Sequence, residues 1–151
     1  MAIENEQQHD SPGAWAKRYH LANRAAIEAI LRPYDLGSTQ WYVLHRLSHD
    51  GPTMQRDLTR ALQVERATLS AIVATLVRKG LIEQSPHSVD QRQRVLELTP
   101  AGRDLWDGLP DPIALTQAVS FSGVDADELA TTVRVLRAAT RRLTESLSDE
   151  S

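Results

Sequence analysis

Residues 64–98 combine a helical pattern with two short strand patterns, which follow it across a single glycine. In "VERATLSAIVATLVRKG" the apolar residues recur at helical spacing, the last turn is basic, and Gly80 stands where helices commonly end. "LIEQS" (81–85) and "QRVLEL" (93–98) have strand-like patterns, and the loop between them contains Pro and Ser. The segment therefore predicts a helix followed directly by a hairpin, in a fold that is mainly α with a small β-hairpin.

Helical patterns with clear start signals precede this segment. Ser11 and the proline after it predict the capped start of a helix over residues 12–32, and a second helix is predicted over 38–48. Thr53 is predicted to cap a short third helix that runs to about residue 61. The order helix, helix, short helix, turn, helix and hairpin is that of a winged helix-turn-helix.

Two further helices are predicted after the hairpin. Thr99 and Pro100 repeat the cap-plus-proline signal and open a fifth helix. Two prolines in "GLPDPIA" predict a kink or break near residues 108–112, because proline removes a backbone hydrogen bond. The last helix, predicted over 125–147, has a heptad-like apolar stripe, which indicates packing on a helix of a second subunit or within the same chain. The stripe consists of Leu129, Val133, Leu136, Thr140, Leu143 and Leu147.

The composition excludes several classes of protein. The chain has 151 residues, of which 41% are hydrophobic, so it can bury the core of one domain with an appended assembly region. The absence of cysteine excludes a disulfide framework, thiol catalysis and a cysteine-based redox sensor. No apolar run approaches the length of a membrane helix, and "MAIENEQQHD" is polar rather than signal-like. We therefore expect a cytoplasmic protein with no membrane partner, with residues 1–10 as a disordered tail.

The net charge of −3 conceals a basic middle segment. From Met54 to Arg103 the chain has eight Lys or Arg residues against five acidic ones, whereas the remainder has nine against fifteen. Such an asymmetry is typical of a local anion-binding face. Chance is the alternative explanation, since an excess of three charges is small.

The helix predicted within residues 64–80 has two unlike faces. A solvated helix normally carries Glu and Lys on its exposed face, but here the exposed face consists of small residues. Small side chains allow a helix axis to lie deep in the DNA major groove, where hydroxyl and methyl groups reach base edges. A helix that is packed on both sides is the alternative. The apolar face consists of Leu69, Ile72, Val73 and Leu76, and the opposite face of Ala67, Ser70, Ala71, Ala74, Thr75 and Arg78.

Taken in order, "STQWYVLHRL", "GPTMQRDLTRALQVERATLSAIVATLVRKGLIEQS" and "DQRQRVLELTPAGRDL" resemble the MarR family (multiple antibiotic resistance regulators). The resemblance covers residues 36–105 with specific motifs and the flanking helices in general pattern only. It implies a homodimer with interlocking terminal helices. Its fourth helices would lie in successive major grooves of double-stranded DNA, and its hairpin wings would reach the flanking minor groove.

By this resemblance, Asp90 and Arg92 match the Asp-x-Arg motif of the wing. Arg92 is expected to enter the minor groove, Asp90 to orient it through a charge-assisted hydrogen bond, and Arg94 to contact phosphate. Gln55 and Arg56 are expected at phosphates beside the N-terminus of the third helix. The predicted DNA-binding residues are Thr53, Gln55, Arg56, Arg66, Ala67, Thr68, Ser70, Ala71, Arg78, Asp90, Arg92 and Arg94.

The resemblance also divides the chain into regions. Residues 36–108 are expected to form the winged helix-turn-helix DNA-binding domain, and residues 11–35 with 109–147 a helical dimerisation region. The chain departs from the family in two places. Small residues stand in the fourth helix where many members carry charges, so family base preferences do not transfer. The two prolines interrupt a fifth helix that is usually continuous, which puts the usual dimer geometry in doubt.

The resemblance further implies an effector, because family members commonly release DNA when a phenolic or aromatic-carboxylate ligand binds between the dimer helices and the DNA-binding domain. Trp15 and Tyr19 lie one turn apart on the first helix, His20 is next in sequence, and Trp41 opens the second helix. These four residues are the candidate ligand-binding residues. The alternative is that such aromatic residues pack the dimer core.

The predicted function is that of a homodimeric, sequence-specific transcriptional repressor, whose partners are a pseudo-palindromic operator, a second copy of the chain and a small aromatic acid or phenol. The alternative is a winged-helix module that binds an acidic protein and no specific DNA. An enzyme is not predicted, since no nucleophile–base pair, phosphate loop or metal triad is recognisable. His45 and His49 lie one turn apart without an obvious third ligand, so neither a metal nor a cofactor is predicted.

Overall fold

The computed structural model describes residues 9–149, and its elements lie close to the predicted ones. The tail predicted over residues 1–10 therefore lies almost entirely outside the described residues. A short 3-10 turn (Arg32–Tyr34) follows the first helix. The elements are α1 (Pro12–Leu31), α2 (Ser38–Asp50), β1 (Thr53–Met54), α3 (Gln55–Leu62), α4 (Arg66–Arg78), β2 (Ile82–Pro86), β3 (Arg94–Leu98), α5 (Pro100–Gly108), α6 (Pro112–Ser120) and α7 (Ala126–Asp149).

The predicted hairpin is part of a three-stranded antiparallel sheet in the order β1-β3-β2. The additional strand β1 pairs Thr53 with Leu96. This corrects the prediction that Thr53 caps the third helix: Met54 is the N-cap residue, and the Thr53 hydroxyl donates to the Gly51 carbonyl at 2.9 Å. A strand of two residues has no periodicity of its own, so only the pairing with β3 defines it.

The start signals at Ser11 and Thr99 and the stop signal at Gly80 are confirmed. The Ser11 hydroxyl caps α1 by accepting from the Ala14 amide, and Thr99 caps α5 in the same way. Gly80 adopts a φ of +72°, the left-handed conformation in which glycine ends a helix without strain. The predicted break is also present, because α5 ends at Gly108 and α6 begins at Pro112.

The core lies among α1, α2, α4 and the sheet, and the predicted apolar face of α4 is confirmed. Leu69, Val73 and Leu76 are buried and Ile72 is half-buried. A buried leucine contributes about 2 kcal/mol relative to exposure, so this face holds α4 firmly against the sheet and turns the opposite face outward. The remaining buried hydrophobic residues are Ile27, Leu31, Leu36, Trp41, Val43, Leu44, Leu47, Leu58, Ile82 and Leu96.

The chain divides into two compact units, the first ending at Ile113 and the second beginning at Ala114. The second unit contains α7, and five of the six members of its predicted apolar stripe are exposed: Val133, Leu136, Thr140, Leu143 and Leu147. The pairing of this stripe with a second subunit stays a prediction. Within residues 9–149 no helix combines the length and apolar character that crossing a membrane requires.

Thr99→Ala is expected to destabilise the fold by about 1.5 kcal/mol. The Thr99 hydroxyl accepts from the Gly102 amide at 3.0 Å and donates to the Gly80 carbonyl at 2.6 Å, so it joins the end of α4 to the start of α5. Urea unfolding of wild type and variant measures the loss. Thr99→Ser, which retains the hydroxyl, is the matched control; an equal loss in both variants would rule out this role.

Candidate nucleic-acid interface

A groove of about 550 Å³ lies between α3, α4 and the β2–β3 hairpin. Five arginines line it, which we call the arginine groove: Arg56, Arg60, Arg66, Arg92 and Arg94. The other lining residues are polar and uncharged, namely Gln55, Thr59, Ser70, Gln84 and Gln93. Arg56 also lies 3.8 Å from Asp57, in an exposed ion pair that stabilises little. This concentration of positive charge in a concave surface suits a polyanion.

The outward face of α4 borders the arginine groove and consists of small side chains, as predicted. Ala67, Ser70, Ala71 and Ala74 are exposed. Thr75 is half-buried, and its hydroxyl is engaged locally, because it donates to the Ala71 carbonyl at 3.1 Å and accepts from Arg78 at 3.1 Å. Because these exposed side chains are small, another molecule can approach closely to the axis of α4.

The hairpin presents its arginines to the same groove. Arg92 and Arg94 are exposed and line the arginine groove together with Ser70, so the predicted position of Arg92 on the same side as Ser70 is confirmed. The predicted role of Asp90 is corrected in its geometry. Its carboxylate accepts from the backbone amide of Arg92 at 3.1 Å, not from the guanidinium. An aspartate two residues before an amide readily makes such an Asx turn, which shapes the loop without using the arginine side chain.

His87 contributes to the same loop. Its Nδ1 accepts from the backbone amides of Val89 at 3.3 Å and Asp90 at 3.1 Å, while its own amide donates to the Gln93 carbonyl at 2.9 Å. These bonds hold the tip of the hairpin in a defined turn. This role of His87 was not predictable from the sequence, because a histidine in a polar loop gives no indication of which backbone amides it will contact.

Six of the twelve predicted DNA-binding residues line the arginine groove, and six do not: Thr53, Ala67, Thr68, Ala71, Arg78 and Asp90. Four lining residues were not predicted from the sequence: Thr59, Arg60, Gln84 and Gln93. Thr53 is part of β1 and not of the groove lining. Arg60 could have been found from its position one helical turn after Arg56. Gln84 could have been found from the strand period of two, which places it on the same face as buried Ile82. Thr59 and Gln93 carry no comparable signal.

The four candidate ligand-binding residues are not brought together within the single chain. Trp15 and Tyr19 share a face of α1 but are exposed, and the Trp15 indole donates to Asp10 at 2.7 Å. Trp41, in contrast, is buried in the core. Helical spacing shows that Trp15 and Tyr19 share a face; it does not show which surface that face meets.

A second cavity, of about 700 Å³, lies between α1, α2 and the turn from α3 to α4. His20 is the only candidate ligand-binding residue among its described lining residues. Arg24 and Arg46 also line it, although each forms an exposed ion pair on its own helix. The side-chain oxygen of Asn23 is buried there without a hydrogen-bond partner. The cavity thus combines cationic groups with an unsatisfied polar atom.

His45 belongs to an aromatic cluster. Its ring stacks on Trp41 at 5.0 Å between centroids and lies 4.3 Å from the ring of His49. Partial burial, and after it the nearby His49, lower the pKa of His45 below its usual 6.5. Arg46 acts in the same direction, while Asp111 and Asp50 oppose it. Among residues 9–149 no group of three or more His, Asp or Glu side chains is arranged to hold a metal ion.

The lowered pKa of His45 predicts a loss of stability in acid. In the unfolded chain His45 binds a proton near pH 6.5, whereas in the folded chain it binds the proton only at a lower pH. The contribution of neutral His45 to the free energy of unfolding is therefore complete above pH 6.5 and is lost as the pH falls below that value. Urea unfolding at pH values from about 8 to about 5 measures this loss. His45→Phe preserves ring packing and should flatten the pH dependence of stability. Equal curves for wild type and His45→Phe would contradict the assignment.

A family model described as MarR family matches residues 34–93. The solved structure of Bordetella bronchiseptica BpsR, described by a mechanism for regulation of DNA binding by 6-hydroxynicotinic acid, is similar with a TM-score of 0.78 and 23% identity, over 87% of this chain and 94% of that chain. A mutant MarR from E. coli complexed with operator DNA has a TM-score of 0.78 and 22% identity, over 88% and 96%.

The PcaV transcriptional regulator from Streptomyces coelicolor, in complex with its natural ligand, has a TM-score of 0.73 and 25% identity, over 87% of this chain and 93% of that chain. All three likenesses extend over most of both chains. The arrangement of helices and the three-stranded sheet is therefore that of a winged helix.

Proposed function

We propose that the chain is a DNA-binding transcriptional regulator of the MarR family, whose model matches residues 34–93, and that it acts as a homodimeric repressor on a pseudo-palindromic operator. Members of this family are regulators and not enzymes. The observation that carries the proposal is the arginine groove, in which Ser70 of the small-residue face of α4 and the wing arginines converge. A cytoplasmic location, where the chromosome is accessible, is part of the proposal.

In the proposed complex α4 occupies the major groove. Ala67, Ser70 and Ala71 approach base edges, since nothing bulky separates them from a partner, and Arg66 and Thr68 lie at the start of the same helix. Arg78, at the far end, is directed to the backbone. This division follows the general rule that charged contacts position a protein on DNA while base contacts specify the sequence.

The wing and α3 supply further contacts in the proposed complex. Arg92 enters the minor groove from the hairpin tip, which Asp90 shapes through its bond to the Arg92 amide. Arg94 and Arg56 contact phosphates on either side of the arginine groove. Gln55, at the first residue of α3, is hydrogen-bonded to Ser70 and supports the base-reading face.

The exposed stripe of α7 supports the homodimer. Leu143 and Leu147 are each 68% exposed in the single chain, a costly position for leucine unless a second surface covers it. A twofold dimer would place two α4 helices on two half-sites of a palindrome. Trp15 and Tyr19 on α1 offer further apolar surface for the same assembly.

We place a regulatory ligand, a small aromatic acid or phenol, in the cavity between α1 and α2. Arg24, Arg46 and His20 provide cationic or donor groups for a carboxylate, and Tyr42 provides an aromatic wall. The relatives BpsR and PcaV are described with 6-hydroxynicotinic acid and with a natural ligand, respectively. The site assigned to Trp15 and Tyr19 by sequence is not retained.

Selection of bound genomic fragments followed by footprinting tests the proposal. We expect protection of a palindromic site by a dimer of defined mass, an affinity that falls steeply with salt, and release by aromatic acids. Arg46→Ala should reduce the release of the operator by aromatic acids more than it reduces operator affinity in the absence of the acid. Absence of any shifted fragment at low salt, with co-purification of an acidic protein, would favour the protein-interaction module instead.

A further inference from the structure

Three polar side chains from three elements form a chain of hydrogen bonds inside the arginine groove. Gln84 on β2 donates from Nε2 to Oε1 of Gln55 at 2.8 Å. Gln55, the first residue of α3, donates from its own Nε2 to the Ser70 hydroxyl oxygen on α4 at 3.3 Å. We call this chain the amide relay. It connects the wing strand to the proposed base-reading helix.

The strand register explains why Gln84 can take part. Gln84 pairs with Leu96 and follows Ile82 by two residues, so all three side chains lie on the face of the sheet that is turned toward the helices. Ile82 and Leu96 are buried, and Gln84 lies at the edge of that packed region. Ser85, the next residue along the strand, points to the opposite face.

The direction of the relay determines what Ser70 can offer to a ligand. A serine hydroxyl has one hydrogen to donate and two lone pairs to accept with. Because the Gln55 amide occupies a lone pair, the hydroxyl hydrogen of Ser70 is available to the groove. We propose that the amide relay sets Ser70 as a hydrogen-bond donor, which selects base pairs that present an acceptor at that position of the major groove. This inference rests on the proposed role of α4 in base reading.

The relay resists reversal because its two amides must turn together. Rotation of Gln55 alone would place its NH₂ group against the NH₂ group of Gln84, and rotation of Gln84 alone would place two carbonyl oxygens together. A free serine hydroxyl accepts or donates with equal ease, so it discriminates poorly by itself. Gln84 is therefore a positioning residue that determines specificity through Gln55 and Ser70 without contacting a base.

Gln84→Glu is the substitution that reverses the relay. An ionised carboxylate only accepts, so Gln55 must turn its NH₂ group toward residue 84 and its oxygen toward Ser70. The Ser70 hydroxyl then donates to Gln55 and presents only lone pairs to DNA. The base preference at that operator position should change from acceptors, such as guanine, to donors, such as cytosine.

The test measures binding to an operator library at fixed salt. Wild type should prefer guanine over cytosine at the Ser70 position by about fivefold, and Gln84→Glu should reverse that order by a similar factor. Ser85→Glu adds the same charge on the opposite face and should weaken all sequences equally. In a Ser70→Ala background, Gln84→Glu should leave the base preference unchanged. The NMR signals of the Gln55 side-chain amide should shift in Gln84→Glu without DNA.

The outcomes separate this inference from the proposed function. If the wild-type protein selects no DNA sequence from the library, both the proposed function and this inference are wrong. A wild type that selects an operator, while Gln84→Glu and Ser85→Glu have identical base preferences, overturns the amide relay alone. A wild-type preference for cytosine at the Ser70 position also overturns it, because Ser70 would then act as an acceptor.

Discussion

Gly102→Ala is expected to destabilise the protein by about 3 kcal/mol, the largest effect on stability that we expect from adding a single methyl group. A Cβ atom at residue 102 would lie 2.0 Å from the carbonyl oxygen of Leu81 and 2.9 Å from its carbonyl carbon. Both are backbone atoms, so no side-chain rotation can relieve the clash. The first turn of α5 would have to move away from the chain that enters β2.

That movement would break contacts at the base of the wing. The Thr99 amide donates to the same Leu81 carbonyl at 3.1 Å, and Gly102 donates to the Thr99 hydroxyl. We therefore expect Gly102→Ala to weaken operator binding as well as to lower the unfolding midpoint in urea.

Gly108→Ala is the matched control for this prediction. A Cβ atom there meets nothing within 4 Å, so its effect should stay within about 0.5 kcal/mol. Equal stability of the two variants would show that α5 and the Leu81 backbone do not approach as closely as the structure has them.

Removal of both wing arginines, Arg92→Ala with Arg94→Ala, should lower operator affinity about a hundredfold. Arg92→Ala alone should cost about 1–3 kcal/mol if the side chain lies in the minor groove, and Arg94 adds a phosphate contact. Both side chains are exposed and line the arginine groove, so their loss should leave stability almost unchanged.

Salt dependence distinguishes lost contacts from a distorted wing. The slope of log affinity against log salt should fall by about 2 in the double variant, one for each lost charge contact. Arg32→Ala with Arg103→Ala removes the same charge from exposed positions outside the groove. This double variant should change operator affinity and its salt dependence little. Unchanged operator affinity at fixed salt in the wing variant would refute the assigned role of the hairpin.

Local patterns along the chain were sufficient to predict most of the fold. The spacing of Leu69, Val73 and Leu76 identified the buried face of α4, and hence the small-residue face opposite it, because burial requires one continuous apolar stripe. Ser11 and Thr99 marked helix starts, since each satisfies an amide only three residues away. These interactions are short in sequence, so the sequence itself contains both partners.

Which side chains lie in the candidate binding sites depends on contacts between residues that are distant in sequence. Trp41 is buried while Trp15 is exposed, although both are tryptophans at helical spacing beside other aromatic residues. The Asp90 carboxylate accepts from the backbone amide of Arg92. The Asp-x-Arg spacing alone does not distinguish this amide from the Arg92 guanidinium as the partner. Which surface a helix face meets is determined by packing of the whole domain.

The sequence by itself determined the order of the helices and of the two hairpin strands, the faces of α4 and the positions of the wing arginines. Only the tertiary structure placed β1 beside β3 and brought Gln84 to Gln55 and Ser70. The physical reason is the range of the interactions, because helix periodicity and capping act within one or two turns. The relay hydrogen bonds join residues 15 and 29 positions apart, and the β1–β3 pairing joins Thr53 to Leu96. Such contacts form only when separate elements pack together, and no local pattern encodes them.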